Sequence, residues 1–124
     1  MTETWTFAGE PMSVTAEEAV VALRRRIAEG SLETWLTSSA GRLLTVVSNT
    51  ERALVMLLDE EDDPGAHAVS AGSSGASEGF RLANGQCDIY PDEDTVPLDE
   101  AFRILRHLIG TGLPPADTGW CADG

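Results

Sequence analysis

Asp59, Glu61 and Asp63 alternate with the spacing of the first oxygen ligands of a calcium loop. The rest of such a loop is missing. Pro64 stands where the sharp turn needs glycine, and Ser70 stands where a bidentate Glu must close the cage. Asp92 and Asp94 repeat the alternation and also lack an acid at the closing distance. As general acids and bases these carboxylates lack the apolar surroundings that shift a pKa toward neutrality. The two histidines, His67 and His107, belong to no zinc-ligand spacing. His107 falls on the polar face of a helix end, where a cation compensates the dipole, and His67 reads as a surface residue after the acidic run. Cys87 and Cys121 form no C-x-x-C pair and are too few for a disulfide framework, so both read as reduced thiols. The zinc deaminase pattern of H-x-E with P-C-x-x-C is absent, as are a phosphate-binding P-loop, GxGxxG and GxSxG. Gly72-Ser73-Ser74-Gly75 reads as a flexible loop. The expectation is a protein that is not an enzyme and uses no metal or cofactor.

What remains for the acids is binding, and the overall charge says to what. The 124 residues carry a formal net charge of −13, and all eight basic residues are Arg. Such a surface repels nucleic acid and anionic membranes, whose partners are basic. It attracts a basic protein and raises its rate of association. Nothing in the chain approaches the roughly 20 apolar residues of a membrane span. The acidic start, Thr2-Glu3-Thr4, lacks the basic region of a secretory signal, so a cytoplasmic location is expected.

The elements that hold these residues follow from periodicity. Residues 2–7 alternate polar and apolar as a strand, with Trp5 and Phe7 on one face. Thr15 and Glu18 form a capping box, and Ala16, Val20, Leu23 and Ile27 make the apolar stripe of a helix. Arg24, Arg25 and Arg26 suit its negative end, and Gly30 stops it. Residues 31–41 are read as irregular. Residues 42–48 and 52–58 are strands, the second apolar on both faces and so central. A short strand follows at 66–70. Asn84-Gly85 predicts a two-residue hairpin that sets Arg81 opposite Asp88 and Phe80 opposite Ile89. After Pro97 a second helix runs over about 98–109, with Ala101, Leu105 and Leu108 inward and Asp99 spaced to pair with Arg103. Trp120 falls on a last strand. Strands gathered between two amphipathic helices give an α+β fold, one domain over 1–124, with both helices packed on a mostly antiparallel sheet.

The last third also carries a resemblance. Ile89-Tyr90-Pro91-Asp92, then Val96-Pro97-Leu98-Asp99-Glu100-Ala101-Phe102, then Gly110-Thr111-Gly112-Leu113-Pro114 and finally Trp120 follow one another. In this order they resemble the first-numbered immunity-protein family of bacterial polymorphic toxin systems, over roughly residues 32–121. The resemblance implies a cognate toxin, in this family often a deaminase, bound one to one and silenced by covering its active-site mouth. Acidic side chains on a stiff scaffold would then occupy a basic cleft built for phosphates. The expected toxin-binding residues are Asp59, Glu60, Glu61, Asp62 and Asp63, together with Asp92, Glu93 and Asp94, with Tyr90 as packing anchor. Trp5, Trp35 and Trp120 are further anchors or core residues. Two rivals are an acidic adaptor or secretion chaperone, and a small metal- or ligand-binding enzyme of another type.

Overall fold

The computed structural model describes residues 3–123. Strand β1 (Trp5–Phe7) leads to helix α1 (Ala16–Ala28). Five strands come next: β2 (Glu33–Ser38), β3 (Leu43–Ser48), β4 (Arg52–Leu58), β5 (Ala66–Val69) and β6 (Ala76–Arg81). After β7 (Cys87–Pro91) a 3-10 turn, Asp92–Asp94, precedes β8 (Val96–Pro97), helix α2 (Leu98–Thr111) and β9 (Gly119–Ala122). The fold is α+β, with every strand pair antiparallel. The main sheet runs β1-β2-β3-β4-β5-β9, and β6-β7 form a separate hairpin. One edge of β4 is filled by β3; the other is shared by β8 at its start and β5 near its end.

Helix α1 begins as its capping box dictates. Thr15 accepts from the Glu18 amide and the Glu18 carboxylate accepts from the Thr15 amide, which satisfies two free donors of the first turn. Its buried face is Ala19, Val20, Leu23 and Ile27, and α2 buries Ala101, Phe102, Ile104, Leu105 and Leu108. Gly112, at φ 83°, stops α2 in the left-handed conformation that glycine adopts at no steric cost. Both helices lie on one sheet face and share a core with Trp5, Phe7, Leu36, Leu44, Val46 and Val55. Arg103 pairs with Glu100 and Asp117, not with Asp99 as the helical spacing predicts. Asp117 lies in the loop past the helix, outside the reach of any spacing rule.

Two expectations are corrected here. Residues 31–41 are not irregular: β2 lies between β1 and β3. Its Thr34-Trp35-Leu36-Thr37 alternation buries Thr34 and Leu36 and exposes Trp35, the period-2 pattern of a strand with one wet face. The hairpin is also out of the expected register by one residue: Phe80 faces Asp88 and Arg81 faces Cys87. The loop holds three residues, closed by Leu82 N–H to Gln86 O at 2.8 Å and Gly85 N–H to Leu82 O at 2.9 Å. A two-residue turn needs positive φ at both Asn84 and Gly85; this loop needs it only at Gly85, at φ 90°. Asn84 instead accepts the Gln86 amide at 2.9 Å. A one-residue slip flips every side chain of a strand, so Ile89 is 65% exposed and Tyr90 turns inward onto Phe80, ring centroids 4.8 Å apart.

The hairpin covers part of the sheet face that the helices leave open. β6 contacts β3, Asn49 donates to Glu78 O, and Ala83 N–H donates to the Glu33 carboxylate. That cover explains why β3 is buried on both faces, Leu44 and Val46 toward the helices and Thr45 and Val47 away from them.

Gly65 closes the acidic turn at φ 82°, and a Cβ there would lie 2.9 Å from Leu57 O and 3.0 Å from the Leu58 side chain. Strain and a backbone clash coincide. Gly65→Ala is expected to lower unfolding free energy by about 2–3 kcal/mol, measured by urea denaturation. Gly72→Ala, at φ 84° in open space, should cost only the strain.

Candidate functional site

Residues directly opposite across a sheet share a face. The pairings therefore lay out one row on the face away from the helices: Trp35, Thr45, Met56, His67 and Cys121. Strands lie about 4.8 Å apart, so Trp35 and His67 stand roughly 14 Å from one another along the row. Trp35 is 36% exposed, its indole N–H held by Glu33 at 2.6 Å. Met56 is half-buried and His67 is buried. An indole fixed by a hydrogen bond on a sheet loses little entropy when a partner packs on it.

The predicted acidic residues lie near opposite ends of β4, and they divide into two kinds. Asp59, Glu60, Glu61 and Asp62 are exposed on the turn from β4 to β5. Asp63 is turned back and accepts the Asp59 amide at 2.9 Å. Backbone hydrogen bonds from Asp59 and Gly65 hold its carboxyl below the usual carboxylate range. In the 3-10 turn only Glu93 is exposed. Asp92 accepts from Ser77 and lies 3.8 Å from Arg52. Asp94 lies 2.9 Å from His67 Nε2. So Asp63, Asp92 and Asp94 hold the turns in shape, and Asp59, Glu60, Glu61, Asp62 and Glu93 carry the charge that solvent meets. The Asp94 side chain reaches His67, opposite Met56, but Glu93 O accepts from the Ser70 amide and Asp92 O from Arg52 at the start of β4, so the exposed acids of the two turns stand roughly 20 Å apart along β4.

Tyr90 is half-buried against Phe80, with its hydroxyl donating to Asp88 at 2.7 Å. Burial first, and then the Asp88 carboxylate, push its phenol up to about 12. It is a wall of the hairpin, not a free anchor. Trp5 is fully buried and Trp120 packs partly against the core, which leaves Trp35 as the exposed indole.

Arg52 does structural work that no local motif announces. It donates to Thr95 Oγ1 at 2.8 Å, Thr95 O at 3.0 Å and Asp92 O at 3.1 Å. With Ser70 donating to Thr95 O, this ties the 3-10 turn to β4 and β5. His67 was also missed as an organising residue. Its ring nitrogens meet Asp94 and Asp123, 27 and 56 residues away, so no spacing rule reaches them.

Cys87 and Cys121 are free and exposed. Among the described residues no group of three or more His, Cys, Asp or Glu is placed to hold a metal ion, and no helix is long and apolar enough to cross a membrane. No family model matches the chain, and no curated protein matches it.

Proposed function

We propose that this chain is an immunity-type inhibitor, a non-catalytic acidic protein that binds one basic toxin and covers its active site. The observation that carries the reading is an exposed, hydrogen-bonded Trp35 on a stiff antiparallel sheet whose β4–β5 turn carries four exposed acids. Asp59, Glu60, Glu61, Asp62 and Glu93 supply the long-range attraction, which sets the rate of encounter. Trp35 supplies the apolar contact that slows release. Self-protection against a toxin lethal in few copies calls for nanomolar binding or tighter, about −12 kcal/mol. An interface of roughly 1,600 Å² is enough for that. The sequence resemblance supports a deaminase as the target, with acids standing in for substrate phosphates. The test is co-expression. The neighbouring gene product, produced in a bacterial host, should arrest growth, and this chain should restore it. Growth arrest that this chain leaves untouched would sink the reading.

The adaptor alternative has its own support on a different surface. An open groove of about 640 Å³ runs between the loop after β1 and α1, lined in part by Phe7, Met12, Val14 and Ala22. Met12 is 75% exposed there. A chaperone would hold an unfolded segment in this groove, so Met12→Asp would abolish its binding and leave an immunity complex intact.

A further inference from the structure

Three segments distant in sequence converge on one imidazole. His67 lies in β5, a strand near the sheet edge, with a side chain only 11% exposed. Nδ1 is 2.8 Å from Asp123, just past β9, and Nε2 is 2.9 Å from Asp94 in the 3-10 turn. A carboxylate only accepts, so both contacts are hydrogen bonds only when both ring nitrogens carry protons. A neutral ring keeps one N–H and turns a lone pair toward the other carboxylate, which converts an ion pair into repulsion. We propose that His67 is a proton-operated clasp: as imidazolium it ties the last strand and the 92–94 turn to β5, and on losing its proton it lets one of them go.

The surroundings are compatible with this single control. Across from His67 stand Met56 on β4 and the Cys121 thiol on β9. On the 3-10 turn, Asp92 is directed at Arg52 and Ser77, and Glu93 is exposed. On the β4–β5 turn, Asp63 is bound to its own backbone. Asp94 and Asp123 are the charged groups that act on the ring. Burial opposes the charge, but hydrogen bonds donated by the ring to these two acids outweigh it and hold the His67 pKa above the ordinary value. A raised pKa means that the clasp contributes fully below the free-histidine value of about 6.5 and is lost as pH rises through the folded value. β9 is an edge strand paired only with β5 among the described residues, held further by Trp120 against the core and by the Asp123 amide donating to Gly65 O.

The test uses the purified full chain in an NMR titration, with His107→Gln assigning the two histidine signals. The His67 midpoint should lie above about 6.5. Hydrogen-exchange protection of either the β9 amides or the 92–95 segment should fall ~10-fold between about pH 6 and pH 9, relative to β1 at the opposite edge. Asp123→Asn should lower the His67 midpoint and deprotect β9 at every pH; Asp94→Asn should lower the midpoint and loosen residues 92–95. A midpoint at or below the free-histidine value overturns the clasp. So does protection of both segments that tracks β1 across the range, or a midpoint that neither Asn variant moves.

Discussion

Phe80→Ala is expected to cost about 3–5 kcal/mol of unfolding free energy, a large share of the roughly 5–15 kcal/mol that holds a domain of this size. Phe80 is fully buried where the hairpin meets the sheet, and it stacks on Tyr90. Removing the ring leaves a cavity in the hairpin whose strand β6 contacts β3 of the main sheet. Ile89→Ala should fall within about 0.5 kcal/mol of the parent, because Ile89 is mostly exposed. The pair also reads the register directly. In the register expected from Asn84-Gly85, Ile89 faces Phe80 in the core and both variants are costly. Urea denaturation of the two variants decides between the registers.

The second large effect is on association. Replacing Asp59, Glu60, Glu61 and Asp62 together by Arg should slow capture of a basic partner ~10- to 100-fold at low salt. Wild-type capture should slow as salt rises and the variant's should not, because screening acts on the same attraction. These four positions are exposed and separate from the network around Arg52 and His67, so folding stability should move by less than about 1 kcal/mol. Asp63, Asp92 and Asp94 are left in place, since reversing them breaks contacts that shape both turns. Trp35→Ser should leave the association rate nearly unchanged and speed dissociation, as a packing anchor does. Stopped-flow mixing with the partner separates the two effects.

Helices and the central strands were legible because local chemistry and tertiary role agree in them. Thr15 and Glu18 mark the start of α1 through contacts three residues apart, and the apolar run of β4 marks a strand covered on both faces. Failures arose where one local signal serves two structures. Asn-Gly suits a two-residue turn and a three-residue loop alike, and the sheet chose the form that leaves Asn84 at negative φ. In β2 the alternation is carried by Thr and Trp between Gly30 and Gly41, a polar stretch that reads as a connection until β1 and β3 flank it. The acidic runs were legible as charge and not as structure. Whether an Asp faces solvent or an arginine depends on Arg52 and His67, whose positions are fixed by pairing far from the turn.

Inhibition by one-to-one binding, as proposed, is read from a titration. The neighbouring gene product, held at a concentration well above nanomolar, is assayed for its own activity while this chain is added. Activity should fall in a straight line to zero at one equivalent, with a break that softens at high salt. Full activity in the presence of several equivalents would contradict it, as would loss of activity at a small fraction of an equivalent, which marks catalytic destruction of the toxin in place of occlusion.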